Sequence, residues 1–256
     1  MKRITTSNSQ IEDFGQLSQD YPGHHYASVQ TTTTGKTYYG ASASISFYNL
    51  SLGENQYSLS HIFVQSGPSS ELNSIQAGIG ADNFQKTECF DTQCPGYVQI
   101  DQTYFLGMPL APASQIGTEQ NHYLPIKLFR VKNKNFGLGD NGENVNVGYW
   151  PHVLFNHISE GATFVRYGGE TYAPPDCQSP PMGSGRLAEE KFKNAAYVAR
   201  AMIVDSDYNE DDIQIDDVDV YVDTPSSCYE VLYDGYQGDK YAQAFIFGGP
   251  GGNCGV

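Results

Sequence analysis

A glutamate preceded by two glycines is the most suggestive chemical feature of this 256-residue sequence, in the segment Tyr167-Gly168-Gly169-Glu170. Glycine has no side chain, so a glycine pair lets another stretch of backbone approach closely. The neighbouring carboxylate could then act as a general acid or base on a group that is held there. The plain alternative is that Glu170 is only an acidic residue in a turn.

Other motifs for catalysis or cofactor binding are weak. The sequence has no H-E-x-x-H zinc motif and no G-x-S-x-G nucleophile elbow, and its six histidines are scattered. The segment Gly137–Gly142 matches the dinucleotide pattern G-x-G-x-x-G, but a strand-like segment follows it, so we expect a β-turn around Asn141-Gly142. The acidic run from Asp205 to Asp223 resembles a calcium loop, yet Glu210 stands where that loop needs glycine. We therefore predict no metal and no other cofactor.

The charge balance narrows the class of partner. Lys and Arg number 14 and Asp and Glu number 29, which gives a net charge of −15. This charge opposes binding to nucleic acid or to anionic lipid. Apolar runs are only a few residues long, so we expect no membrane span, and no apolar stretch follows Met1-Lys2-Arg3 to mark a secretory signal. Charged residues make up 17% of the chain, and so sparsely charged a surface is compatible with an acidic environment because acid self-repulsion stays limited.

The five cysteines indicate disulfides rather than a zinc site. No second close pair and no histidine cluster accompanies Cys89-x4-Cys94, so a small disulfide loop suits this pair better than zinc. Cys228 and Cys254 could close a second loop, which would leave Cys177 free. Disulfides are typical of oxidising compartments.

The elements that must position these residues are mostly strands. Alternating or β-branched segments separated by Gly, Pro, Asn and Asp predict an all-β antiparallel sandwich of two stacked sheets. One short helix is expected near 151–158, with Pro151 in its first turn. Residues 1–24 look like a loose N-terminal lead-in, and residues 25–256 look like one domain. The predicted strands are 26–33, 38–48, 57–66, 73–78, 97–100, 123–131, 145–149, 163–167, 199–204, 218–222 and 243–247.

Several segments taken together, in order over roughly residues 25–254, resemble the neprosin family of glutamic peptidases. Each segment alone is a weak signal, but the occurrence of all of them in this order is specific for the family. They are His25-Tyr26-Ala27, Tyr39-Gly40-Ala41-x-Ala43-x-Ile45, Ser58-Leu59-Ser60-x-Ile62-x-Val64, Ser74-Ile75-Gln76-Ala77-Gly78, Cys89-Phe90-x3-Cys94-Pro95-Gly96, Gly148-Tyr149-Trp150-Pro151, Tyr167-Gly168-Gly169-Glu170 and Phe247-Gly248-Gly249-Pro250-Gly251.

The resemblance implies a secreted β-sandwich endopeptidase that works at acid pH on a peptide or protein substrate. Family members from plants act after proline and use two glutamates that face each other across the groove of the sandwich. The second of these maps to Glu170, whereas the first maps to Gln76. Such proteins are made with an inhibitory prodomain, so we expect this chain to be the mature catalytic domain, acting as a monomer. We predict the disulfides Cys89–Cys94 and Cys228–Cys254.

Glutamine at position 76 changes the expected chemistry, because an amide cannot share protons with Glu170. A Gln/Glu pair is the dyad type of another group of acid peptidases, the eqolisins. Glu170 would then act as the general acid and base, while Gln76 would orient the water and stabilise the oxyanion. The alternative is a catalytically inactive module that binds peptide or glycan, with Gln76 as a disabling residue. A facing Gln/Glu pair would favour the peptidase, and a flat row of aromatic rings would favour the glycan binder.

Aromatic residues near the site bear on specificity. Plant members carry Trp where this chain has Ile79 and Tyr167, which argues against strict selectivity for proline. We predict Trp150 and Tyr167 as aromatic residues that contact substrate in the groove.

Overall fold

Two antiparallel sheets stacked on one another form the protein, which confirms the predicted all-β sandwich. The computed structural model describes residues 2–7, 22–32, 35–82, 96–133, 135–139 and 145–255. Strands are numbered along the chain. The six-stranded sheet has the spatial order β1 (Lys2–Ser7), β5 (Leu72–Asp82), β4 (Tyr57–Ser66), β10 (Phe164–Tyr172), β2 (His24–Thr31) and β13 (Val218–Val222).

The second sheet has nine strands. Its spatial order is β14 (Glu230–Tyr236), β15 (Gln243–Gly248), β11 (Ala196–Val204), β3 (Gly40–Ser46), β7 (Tyr123–Arg130), β8 (Phe136–Gly139), β9 (Asn146–Trp150) and β6 (Val98–Gln99), and β12 (Glu210–Asp212) pairs with β11 outside this path. The described helical segments are α1 (Gly238–Tyr241) and the 3₁₀ turns Ser69–Glu71, His152–Leu154, Ile158–Glu160, Ala188–Glu190 and Ile215–Asp217.

The main hydrophobic core lies between the two sheets, and alternation along each strand supplies it. In the six-stranded sheet, β4 contributes Ile62 and Val64 and β5 contributes Ile75 and Ala77. Side chains point to alternate faces of a strand, so the residues between these project from the other face. Each large apolar side chain buried in this way contributes about 1.5–3 kcal/mol to folding.

Each of the eleven strands predicted from the sequence is present. Four strands were not predicted: Lys2–Ser7, Phe136–Gly139, Glu210–Asp212 and Glu230–Tyr236. Phe136–Gly139 contains two glycines and Glu210–Asp212 is wholly acidic, so propensity argues against both, and only pairing with a neighbouring strand fixes them.

The segment 151–158 does not form the continuous helix that the sequence predicted. It contains one 3₁₀ turn at His152–Leu154, and a second begins at Ile158. Phe155 between them adopts extended backbone angles, φ −133° and ψ 135°, and its ring is buried in the core. Burial of this side chain therefore overrides the local preference for helix.

The first 24 residues contain regular structure at both ends. Lys2–Ser7 pairs antiparallel with β5, and β2 begins at His24. The division into a lead-in of residues 1–24 and a domain of residues 25–256 stays a prediction.

One predicted disulfide is present in the described residues, between Cys228 and Cys254. Cys177 is exposed and free, as predicted. Cys89 and Cys94 lie outside the described residues, so their pairing stays a prediction.

We expect the Cys228–Cys254 bond to contribute substantially to stability. The two cysteines are 26 residues apart, and in the chain-entropy model closing such a loop is worth about 3 kcal/mol. The double variant Cys228→Ser/Cys254→Ser should therefore lose about this much free energy of unfolding in urea titrations. Cys177→Ser is the matched control and should unfold like the parent chain. Equal stability of the double variant and the parent would contradict the prediction.

Candidate functional site

Gln76 and Glu170 lie on the same sheet and project from the same face of it. Gln76 is on β5, opposite Phe63 of β4, and Phe63 is opposite Arg166 of β10. Glu170 is four residues beyond Arg166 on β10, an even number, so it shares the face of Gln76. This is the face turned away from the main core, since Ala77 and Tyr167 supply the core.

That the two residues face each other across a groove, as the resemblance implies, stays a prediction. The positions are two strands apart in one sheet, and their registers differ by four residues. With strands about 4.8 Å apart and a rise of about 3.3 Å per residue, their Cα atoms are about 16 Å apart along a diagonal. At this separation the two side chains do not contact each other directly, and strand β4 passes between them.

The two glycines before Glu170 are both required by close packing. A Cβ atom on Gly168 would lie 2.4 Å from the carbonyl oxygen of Ala27 on β2, and its φ of +139° also favours glycine. A Cβ atom on Gly169 would lie 2.3 Å from the sulfur of Met182 on the core side. Glu170 is thus a residue of a central strand, not of a turn, and the backbone that approaches at the glycine pair is that of β2.

A tyrosine and a histidine hold the carboxylate of Glu170. The Tyr57 hydroxyl donates to Oε1 of Glu170 at 2.7 Å, and Nδ1 of His24 lies 3.2 Å from the same oxygen. The Tyr57 hydroxyl and His24 Nδ1 are 3.2 Å apart, so the three groups form a closed triangle. Glu170 is 5% exposed, and such burial strengthens each of these electrostatic contacts.

The sequence analysis missed Tyr57 and His24. Tyr57 begins β4 and His24 begins β2, and these strands flank β10 on its two sides. Their residue types are common at strand ends and give no sign of a functional role. Only the order of the strands in the sheet brings the two side chains to Glu170.

Removing the Tyr57 hydroxyl should change how activity depends on pH. The hydrogen bond stabilises the carboxylate form of Glu170, so Tyr57→Phe should favour the protonated form. We expect the acid limb of the pH–rate profile to move to higher pH by about one unit, the size of one hydrogen bond to a charged group.

Tyr172→Phe is the matched control for this change. Its ring stacks on Tyr57 with centroids 5.5 Å apart, but no hydrogen bond joins its hydroxyl to Glu170. The control should keep the parent profile, and an unmoved acid limb in Tyr57→Phe would contradict the assigned role of the hydroxyl.

The side chain of Gln76 carries an unused acceptor. Gln76 is 4% exposed, and within the described part of the chain no group hydrogen bonds to its Oε1 atom. A buried acceptor without a partner costs about 1–3 kcal/mol, so a native protein that keeps one needs a reason to do so. An oxygen left available in this way can accept a hydrogen bond from a bound water or from a substrate N–H.

A buried cation shares the row of Gln76. The side chain of Arg166 is 4% exposed, and its guanidinium donates to Oε1 of Gln30 at 3.1 and 3.2 Å. Burial lowers the pKa of Arg166, and the nearby acidic groups, Glu170 among them, oppose that change. Four rings surround the guanidinium at 5.0–5.8 Å: Tyr26, Phe63, Phe164 and Tyr221.

The two predicted groove aromatics lie elsewhere. Trp150 and Tyr167 are both fully buried in the main core, on the side of the sheet away from Glu170. The Tyr167 hydroxyl donates to the carbonyl oxygen of Met202 at 2.7 Å, and burial raises its pKa well above the usual value. These contacts account for both residues as packing residues, so the candidate site does not include them.

An apolar cavity of about 440 Å³ lies apart from this face. Residues of both sheets line it, including Ile79 and Ile126, but neither Gln76 nor Glu170 does. None of the described residues that line it is a carboxylate, a histidine or a cysteine.

The weak cofactor motifs resolve into ordinary structure. Gly137 and Gly139 belong to strand β8, which pairs with β7, and the predicted turn at 141–142 lies outside the described residues. The backbone N–H groups of Asp207 and Asn209 each donate to the Asp205 carboxylate, so the start of the acidic run is stabilised by its own hydrogen bonds. Among the residues that the structure describes, no cluster of three or more His, Cys, Asp or Glu side chains could hold a metal ion.

The architecture and the site together define a class: an antiparallel β-sandwich with a buried glutamate and glutamine on the outer face of one sheet. A sequence model of the family described as Neprosin matches residues 79–250, about two thirds of the chain. The chain therefore belongs to the Neprosin family, which is consistent with a peptidase. Glu170 falls inside the matched range, whereas Gln76 lies three residues before its start.

Two further observations bear on where the protein works. The Cys228–Cys254 disulfide indicates a compartment outside the cytosol, because cytosolic thiols are kept reduced. In the described ranges, no helix has the length and hydropathy needed to cross a bilayer.

Proposed function

We propose that this protein is a secreted endopeptidase of the glutamic type that cleaves peptide bonds at acid pH. Glu170 is the general acid and base, and Gln76 is the residue that orients water and stabilises the oxyanion. The substrate is a peptide or protein, the chain acts as a monomer, and no metal or other cofactor takes part.

The observation that carries the proposal is the placement of the two residues. Glu170 is a buried carboxylate held by Tyr57, and Gln76 is a buried amide on the same face, whose Oε1 has no hydrogen-bond partner among the described residues. A scissile peptide bond and a water molecule placed between them would meet a base on one side and an amide on the other.

The chemistry follows from the types of the two groups. The Glu170 carboxylate takes a proton from the water as the water oxygen attacks the carbonyl carbon, and it returns that proton to the departing nitrogen. The Gln76 amide has N–H donors for the developing oxyanion and a carbonyl oxygen that accepts from the water. Gln76 has no titrating proton, so every proton that moves must be carried by another group.

The glycan-binding alternative is less well supported by the shape of this face. A sugar-binding platform needs coplanar exposed rings, whereas Phe63 and Phe164 lie at 75° to each other and stack against Arg166. His24 and Tyr57 are likewise at 77°. These rings are engaged with one another and with buried charge, which favours a catalytic over a sugar-binding face.

Digestion of a peptide library at about pH 3–4 tests the proposal. Pepstatin and EDTA are added in separate arms, because they report aspartic and metal-dependent peptidases, and Glu170→Gln is run alongside. Cleavage that depends on Glu170 and resists both inhibitors would support a glutamic peptidase, and the fragments would report any preference for proline. Loss of cleavage with EDTA would contradict it.

The inactive alternative predicts a different pattern in the same assay. If Gln76 disables a Glu/Glu enzyme, the parent chain would not cleave the library and Gln76→Glu would. That result would replace the proposed Gln/Glu pair by a peptide-binding protein with a disabled site.

A further inference from the structure

His61 lies midway between the two residues of the candidate site. On β4 it is directly opposite Gly78 of β5 and Gly168 of β10. Gln76 is two residues before Gly78, and Glu170 is two residues after Gly168, so His61 is the diagonal neighbour of both. Diagonal neighbours across a sheet are about 7–8 Å apart, within reach of long side chains.

The three residues also share one face of the sheet. His61 is an even number of residues from Phe63, the partner of Gln76, and from Leu59, the partner of Glu170. The imidazole therefore projects into the space that separates the amide from the carboxylate. It is 3% exposed, so its surroundings are as shielded as those of Glu170.

Glycine on both sides of His61 shapes this space. A Cβ atom on Gly78 would lie 2.6 Å from the Cβ atom of His61 and 2.1 Å from the Ser60 carbonyl oxygen. Gly168, on the other side, has the φ of +139° and the close approach to β2 described above. The two strands beside His61 thus present no side chain at its level, so His61 is the one side chain of this row between Gln76 and Glu170 on strands β5, β4 and β10.

We propose that His61 is the second proton-carrying group of this site. The inference rests on the proposed peptidase function and deepens it: imidazole takes the place of the second carboxylate, which Gln76 cannot replace in proton transfer. Imidazole can carry a proton at acid pH, so a protonated His61 could donate one to an amine that leaves from a substrate bound between Gln76 and Glu170.

The steps balance as follows. The water oxygen bonds to the carbonyl carbon while Glu170 takes the water proton, and the oxyanion accepts hydrogen bonds from Gln76. The C–N bond then breaks as imidazolium His61, in place of the direct return from Glu170 proposed above, gives its proton to the nitrogen, which leaves as an amine. The proton on Glu170 passes to His61 after the acid product leaves, and both groups are restored.

Several other charged or titratable groups face His61 from the strands packed beside it. Their fields will move the pH at which His61 titrates, so the test compares variants rather than absolute values. Among the described side chains of this face they are Tyr57 on β4, Arg166, Glu170 and Tyr172 on β10, His24 and Tyr26 on β2, and Asp219 and Tyr221 on β13.

The first test is the pH–rate profile of His61→Gln, with a peptide that the parent chain cleaves. We expect kcat at the optimum to fall by about 10²-fold, with KM little changed, since a positioned general acid is worth about 10²–10⁴. The alkaline limb, set by loss of the imidazolium proton, should disappear. His152→Gln is the matched control, because His152 is exposed and its side chain has a hydrogen-bond contact with Asn135, away from the site.

A second variant distinguishes the loss of a titrating proton from a defect in folding. His61→Asn keeps a polar side chain without a titrating proton, so it should lose the alkaline limb as His61→Gln does, with melting curves like that of the parent. An alkaline limb retained in both folded variants would overturn the assignment of His61, even if Glu170 remained essential. Activity that survives in Glu170→Gln would instead overturn the proposed function and this assignment with it.

An NMR titration of the histidine rings provides a readout independent of activity. Removing the Glu170 charge destabilises nearby imidazolium, so the midpoint of His61 should fall by about one pH unit in Glu170→Gln. Glu71→Gln, which removes a carboxylate at the surface, is the control and should leave the His61 midpoint at its parent value. A His61 midpoint that is the same in Glu170→Gln as in the parent chain would overturn the inference.

Discussion

Replacing Glu170 with glutamine is expected to abolish peptide hydrolysis while leaving the fold intact. The amide has nearly the same shape, and its oxygen can still accept from the Tyr57 hydroxyl at the position of Oε1. It cannot take a proton from water, so the general-base step is lost. We expect kcat to fall by about 10⁴-fold, the upper end for a positioned general base.

The measurement is the initial rate on a fluorogenic peptide at acid pH, together with circular dichroism and a melting curve. Glu71→Gln is the matched control, because Glu71 lies at the surface, in a 3₁₀ turn, and its carboxylate pairs with His157. The control should cleave at the parent rate. Full activity in Glu170→Gln would remove the basis for a glutamic mechanism in this chain.

Replacing Gln76 with alanine should cause the second largest loss. One oxyanion donor is typically worth about 10²–10³ in kcat, and the alanine variant also loses the acceptor that would orient the water. KM should change little, since these contacts form mainly in the transition state. Steady-state kinetics that separate kcat from KM provide the check.

Gln65→Ala is the matched control for this change. Gln65 is buried like Gln76, and it lies on β4 on the side of Phe63 that faces away from Glu170. It should retain the parent kcat. Equal kcat in Gln76→Ala and the parent would show that the amide takes no part in the reaction, and a large rise in KM alone would assign it to binding.

The Gln76→Ala variant is also expected to fold as stably as the parent chain. Among the described residues no group hydrogen bonds to the buried Oε1 of Gln76, so removing the amide breaks no described hydrogen bond at that oxygen. We therefore expect the melting temperature of Gln76→Ala to equal or exceed that of the parent. A Gln76→Ala variant that loses activity without losing stability would identify Gln76 as a functional residue.

The strands that carry the site could be predicted from residue types, but their bounds could not. Alternation in Tyr57–Ser66 indicated β4, and Gly67-Pro68 marked its end correctly. The same reasoning ended the later strand at Tyr167, because glycine pairs disfavour strands. In the structure β10 continues to Tyr172, since Met182 and the backbone of β2 fill the space that the two glycines leave.

The sequence by itself determined the all-β class, because this depends on local alternation of side chains. It also determined the Cys228–Cys254 pairing, from the number and spacing of the cysteines, and the choice of Gln76 and Glu170 as candidate site residues, from motifs that occur in order. Only the tertiary structure decided which side chains meet. β10 lies between β4 and β2, and these strands are far apart in the chain, so their register cannot be read from local patterns. That register places Tyr57 and His24 on Glu170 and His61 between Gln76 and Glu170, and it turns Trp150 and Tyr167 into the core.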